Sequence, residues 1–304
     1  VTDTLSQYSV LALYSAMAIY AIAFVLFTLD LAKGASSDAP AGEATKVVVV
    51  PERRKLARVA MSLTVLGFVL QLAATLMRGF AASRVPWANM YEFAMTGTLI
   101  IVGVFLLVNL KWDMKFLGSF VTGLVLLLLG LAATRYYVEI VPLPPALQSY
   151  WLVIHVFVAT LATGFFALGF ALSLMQLLQT KRESAAAAQE KTRLGFLTRL
   201  PDSVQLENYA YRLIIIGFVL WTFTLIAGAI WAEKAWGRYW GWDTKEVWTF
   251  IIWTIYAGYI HARSTRGWRG TRSAWLAMVG FAAVMFNFTV VNIFFKGLHS
   301  YSGL

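Results

Sequence analysis

Residues 116–134 read FLGSFVTGLVLLLLGLAAT, with no charge, no proline and no alternation of polar and apolar positions. Wound as a helix at ~1.5 Å per residue, such a stretch crosses the ~30 Å hydrocarbon core of a bilayer. Within that core the chain must satisfy every backbone N–H and C=O itself, so only helices and closed barrels can span it. Barrel strands are about ten residues long and alternate in polarity. This stretch is longer and apolar on every face, so it is a helix. Comparable runs lie at 9–32, 58–79 and 91–110 before it, and at 151–179, 209–231, 247–262 and 273–295 after it. The sequence therefore predicts an all-α polytopic integral membrane protein of about eight transmembrane helices, with no internal repeat.

Composition agrees. The chain has 304 residues, 60% hydrophobic and 13% charged, with a mean hydropathy of +0.69. A soluble domain of this size needs more polar surface. A net charge of +10 in a soluble protein would point to nucleic acid; here it is read as topology, with no nucleic-acid partner. One set of loops carries Lys33, Lys46, Arg53, Arg54, Lys55, Arg58, Lys111, Lys115, Lys181, Arg182, Lys191, Arg193, Arg199, Arg263, Arg266, Arg269 and Arg272. The other carries only Arg78, Arg84, Arg135, Lys234, Arg238, Lys245 and Lys296. The basic set is expected to be cytoplasmic, which with eight spans puts both termini on the outer side. The first span has no basic segment before it and no clear small-residue cleavage site, and is expected to be retained. Cysteine is absent, which excludes disulfides, Cys-ligated metal and thiol exchange by this chain.

Residues 34–50 are small and polar and read as a flexible linker, dividing the chain into 1–57 (first span and cytoplasmic linker) and 58–304 (the main membrane domain). Residues 181–200 read either as an amphipathic interfacial helix or as a solvated loop. The external segments are more specialised: Pro86, Trp87, Asn89 and Tyr91 in the first, a Pro-Leu-Pro-Pro run at 142–145 in the second, and a tryptophan-dense segment at 231–246.

That third segment runs Trp231-Ala-Glu-Lys-Ala-Trp236-Gly-Arg-Tyr-Trp240-Gly-Trp242-Asp243-Thr-Lys-Glu246. It reads either as an interfacial aromatic belt or as a platform for a flat aromatic ligand. For the second reading, Trp236 and Trp240 lie four apart, as do Gly237 and Gly241. On a helix along the surface they would set a stripe of indoles beside a stripe without side chains. Asp243 and Glu246 look catalytic, but Asp-x-x-Glu before an apolar run is also a capping box. Asn89 and Glu92 repeat that arrangement at the start of the third span.

There are three histidines. His155 lies ~7 Å into the fifth span from the outer side, whereas His261 ends the seventh span ~20 Å below the tryptophans. His299 follows the eighth span. Singly, each reads as well as a hydrogen-bonded or interfacial histidine. As an outward pair beside an aromatic platform, His155 and His299 suit axial ligation of haem iron. Lys234, Arg238 and Lys245, with Arg78, Arg84 and Arg135 further off, are candidate partners for haem propionates.

Together Trp236-Gly-x-x-Trp240-x-Trp242-Asp243-x-x-Glu246, the flanking His155 and His299, His261 and Pro86-Trp-x-Asn89-x-Tyr91-Glu92 resemble the tryptophan-rich "WWD" family of haem-handling proteins. The branch is the CcsA/ResC-type cytochrome c biogenesis protein of System II, and the resemblance covers residues ~60–304. It implies that His155 and His299 ligate haem iron. It implies too that the segment containing Trp236, Arg238, Trp240, Trp242 and Asp243, with Lys234, presents haem b to apocytochrome c. His261 matches the family's intramembrane histidine, a transient haem ligand. Implied partners are a ResB/CcsB-type membrane protein bearing an external domain that these residues lack, apocytochrome c with its CxxCH, and, indirectly, a thiol-reducing thioredoxin-like protein. The activity implied is that of a holocytochrome c synthase (haem lyase) complex in the bacterial plasma membrane or a thylakoid.

Three other readings compete. A System I haem-export or haem-lyase component bears the same signature, but typically with fewer or more spans respectively. A b-type haem electron-transfer subunit usually places its histidine pairs within facing helices. A transporter of another planar aromatic would leave the histidines incidental.

Overall fold

The computed structural model describes residues 2–33, 55–140, 148–190, 194–265, 268–295 and 297–298. Its long helices are α1 (Thr2–Ala32), α2 (Lys55–Ala82), α3 (Met90–Lys111), α4 (Gly118–Arg135), α5 (Tyr150–Ala187), α6 (Ser203–Trp236), α7 (Thr244–Ser264) and α8 (Thr271–Phe286). A 3-10 turn (Lys115–Leu117) leads into α4, and α8 continues through a π-helical turn (Asn287–Val291) into Asn292–Phe294. Each expected span is a helix. Among the described residues, seven helices are long and apolar enough to cross a membrane. The other, α7, has 21 residues, or ~32 Å of helix, but is rich in Trp, Thr and Tyr. The protein is an all-α, multi-pass membrane protein.

Helix ends follow local chemistry. Asn89, Ser149, Asp202 and Asp243 cap the N-termini of α3, α5, α6 and α7 through their side chains, each satisfying a backbone N–H left over at a helix start. α6 stops at Gly237, whose φ of 70° and ψ of 19° lie in the left-handed region that a glycine enters without steric cost.

α1 packs along α2 and against α4; α3 touches α2, α4 and α5; α5 lies along α6 and against α8; and α7 fills the space between α6 and α8. Many polar side chains inside the bundle are paired across helices, as a low-dielectric interior favours. Tyr20 donates to Gln71 Oε1 at 2.9 Å, and Gln71 Nε2 donates to Met95 O and Thr98 Oγ1 at 2.9 and 2.8 Å, joining α1, α2 and α3. The indoles of Trp221 and Trp253 tie α6 to α7 through Thr249 O and Thr222 Oγ1.

Several basic residues are not loop charges in solvent. Arg78 and Arg84 converge on the fully buried Glu92 at 3.1 and 2.6 Å, and Arg78 also donates to Val138 O and lies over the Tyr91 and Tyr137 rings. These two guanidiniums, counted above among propionate candidates, are engaged in holding α2, the 83–89 turn and α3 together. Arg263 pairs with buried Glu207 at 3.1 Å, and Glu207 also accepts from Gly270 N and Ser273 Oγ, locking α6 to the start of α8.

Residues 181–200 match neither expectation in full. α5 runs on to Ala187, and the 3-10 turn Gly195–Arg199 precedes α6, with Leu197 and Leu200 buried. The 34–50 linker and the 142–145 proline run lie outside the described residues.

Candidate functional site

At the end of the bundle where α3, α5 and α7 begin and α6 ends, the helices line a partly open cavity of about 210 Å³. Its walls are mostly apolar, contributed by Phe93, Ile101, Val156, Leu225, Val284 and Phe288 among others. His155, Trp231, Trp240, Lys245 and Glu246 all face it.

His155 sits in the second turn of α5, against α6. Its Nδ1 is 3.0 Å from Thr224 O, and its ring stacks on Trp231 with centroids 5.9 Å apart and planes 22° off parallel. Gly228, one turn beyond Thr224, makes the fit possible. A Cβ there would lie 2.8 Å from His155 Cε1 and 3.0 Å from Nδ1. With Nδ1–H donating to the Thr224 carbonyl, the acceptor lone pair resides on Nε2, the tautomer of a histidine held to ligate through its outer nitrogen.

The tryptophan segment is not a surface helix. Trp231 and Trp236 belong to the last turns of α6, their rings 4.8 Å apart and edge-to-face, and Trp231 is buried. After Gly237 the chain is irregular up to Thr244, so Trp236 and Trp240 share no helical stripe. Trp240 and Trp242 meet edge-to-face at 5.8 Å and are 37% and 78% exposed. The glycines also do other work than expected. Gly237 closes α6, and a Cβ on Gly241 would coincide with the Arg238 guanidinium, which covers it. Trp242 holds a φ of 58°, a region disfavoured for a large side chain, and such strain concentrates at functional sites.

Asp243 and Glu246 are a capping box at the start of α7. Glu246 Oε2 accepts from Gly241 N at 2.8 Å and Asp243 N at 3.1 Å, fixing the loop as well as the helix. Asp243 also reaches the C-terminal segment: its Oδ1 accepts from Leu298 N at 3.1 Å. His299 is the next residue and lies outside the described residues, as does Lys296. His261 is exposed in the last turn of α7, at the opposite end from the cavity.

Of the candidate cations, Lys234 is largely exposed and pairs with Glu233 at 3.4 Å. Lys245 lines the cavity and donates to Asn292 Oδ1. Sequence reasoning missed Thr224 and Gly228, which seat His155, and Asn287 and Asn292, which bring polar groups to the wall from α8. The asparagines did leave a signal, as amide side chains inside an apolar span. Thr224 and Gly228 left none.

Fold and site define a helical membrane protein with an apolar chamber presenting one imidazole beside an exposed aromatic loop. Residues 87–299 match the family described as "Cytochrome C assembly protein". The proteins named "Cytochrome c biogenesis protein CcsA" from Trieres chinensis, Guillardia theta and Prochlorococcus marinus are 34%, 36% and 34% identical to it. These alignments cover 75%, 72% and 74% of this chain and 81%, 77% and 78% of those proteins. The chain therefore belongs to the cytochrome c assembly family, in its CcsA-type cytochrome c biogenesis branch. The solved structure named "Cytochrome c Heme Lyase CcmF" shares the fold, with a TM-score of 0.66 at 18% identity over 93% of this chain. The chain spans about half of that protein, 46% of its length.

Proposed function

We propose that this chain binds haem through His155 and His299 and, with a ResB/CcsB-type partner, delivers it for attachment to the CxxCH segment of apocytochrome c. The observation that carries the reading is the seat of His155. Its ring is braced by Thr224 O and Trp231 in space left by Gly228, inside an apolar chamber shared with the signature tryptophan Trp240. The tie from Asp243 to Leu298 supports a second histidine close to that loop.

Haem is the substrate here and supplies two vinyl groups. The thiols of the apocytochrome add across them, each forming one C–S bond and giving its hydrogen to the neighbouring vinyl carbon. No oxidant is consumed, and this chain supplies no nucleophile. Its residues hold and orient the substrate and limit the access of water. Trp236, Trp240 and Trp242 offer π-faces, Arg238 and Lys234 offer cations near the rim, and Asp243 positions the loop. His261, remote from the chamber, would hold haem at an earlier stage of its passage. The tryptophan loop and both termini face outward, from a bacterial plasma membrane or a thylakoid.

His155→Ala and His299→Ala are expected to abolish holocytochrome c formation, and exogenous imidazole to restore part of it. Failure of rescue at both positions in correctly inserted protein would overturn the ligation.

A further inference from the structure

Four buried side-chain atoms with no hydrogen-bond partner among the described residues belong to side chains that line this one chamber: Trp87 Nε1, Asn89 Nδ2, Glu246 Oε1 and Asn287 Oδ1. Buried polar atoms are normally paired, and an orphan asks for an explanation. These are sorted by wall. Both donors stand on the segment leading into α3, whereas the acceptors come from α7 and α8.

The donors are well defined. Asn89 is only 4% exposed, and its Oδ1 is already the cap of α3, accepting from Glu92 N at 2.9 Å. That bond fixes which end of the amide is which; the NH2 is left without an acceptor among the described residues, on a side chain that lines the chamber. The Trp87 indole can only donate. The guanidiniums of Arg78 and Arg84 both pair with Glu92 in the first turn of α3, while on α7 the neighbouring charges Lys245 and Glu246 both line the chamber. The start of α3 adds its own positive end. Two neutral donors at the positive end of α3, with two guanidiniums next to them in the structure, suit a carboxylate, which only accepts.

We propose that Trp87 Nε1–H and Asn89 Nδ2–H together receive one carboxylate of the bound molecule inside the chamber. Resting on the haem reading above, this means that one propionate is taken at the α3 wall and not at the exposed rim near Lys234 and Arg238.

The test titrates full-length protein, purified with its membrane partner, with haem and with haem dimethyl ester, following the Soret band. Asn89→Ser keeps a capping oxygen and loses the amide donor, Asn89→Asp keeps the cap and sets a negative charge in its place, and Trp87→Phe keeps a ring and loses the N–H. Wild type should bind haem about tenfold or more tighter than the ester, as expected for charge-assisted hydrogen bonds. Asn89→Ser and Trp87→Phe should each shrink that preference, Asn89→Asp should remove it, and all three should retain the histidine-ligated Soret position. Equal wild-type affinity for haem and ester, or a preference unchanged in all three variants, would overturn the carboxylate site and leave the haem reading standing. A wild type without any His155-dependent Soret band would overturn both.

Discussion

Gly228 shows how much of this site depends on a missing atom. The His155 imidazole occupies the volume that a Cβ would claim, 2.8 Å from its Cε1, and the orientation of the ring against α6 is then set by Thr224 and Trp231. Gly228→Ala is expected to push the ring off Thr224 O and cut holocytochrome c formation at least tenfold, with the Soret band of purified protein shifted or lost. Gly258→Ala, on α7 with open space where its Cβ would go, should leave both unchanged and raise stability by up to ~1 kcal/mol. Equal effects of the two substitutions would refute the packing argument. The histidines, tryptophans and acidic caps were visible in the sequence because each is chemically distinctive. Gly228 and Thr224 were not, since a glycine and a threonine in an apolar span are ordinary until the facing helix is known. The glycine spacing at 237 and 241 misled for the same reason. A four-residue interval has helical meaning only where the helix persists, and it ends at Gly237.

At the scale of elements, the entry to α3 is held by charge. Glu92 takes Arg78 from α2, Arg84 from the connecting turn and the N–H of Ala88 at 2.9 Å. Removing its charge takes a shared counter-ion from two buried guanidiniums, and breaking such a pair costs about 3–5 kcal/mol. Glu92→Gln is expected to lower the unfolding temperature in detergent markedly. Lys115→Met, which breaks the half-exposed pair with Asp113, should change it little, because surface pairs contribute ~0–1 kcal/mol. Comparable melting of the two variants would show that the buried network is not what holds the turn. Spans were legible because each is an apolar run longer than any strand, and caps because Asn-x-x-Glu and Asp-x-x-Glu just before an apolar run suit a helix start. The buried networks were not legible. Nothing in the sequence distinguishes Arg78, enclosed by two tyrosine rings, from an arginine in water.

For the whole molecule, eight long helices among the described residues, with the basic residues gathered in alternate connections, make orientation a measurable quantity. Because the chain has no cysteine, single introduced cysteines report without background. Tyr239→Cys, 64% exposed in the tryptophan loop, is expected to react with a membrane-impermeant maleimide on intact cells. Ser184→Cys, near the far end of α5, should react only after the membrane is opened. The reverse pattern would place the loop in the cytoplasm and refute an outward-facing site.

The wide turn of α8 at Asn287–Val291 has a consequence for everything after it. A helix advances about 100° of azimuth per residue, and a π-turn inserts one residue into that count. Asn292 meets Lys245 because of this phase slip; in an uninterrupted α-helix it would point about a quarter-turn away, and the strand of chain that reaches back to Asp243 would set out on a different heading.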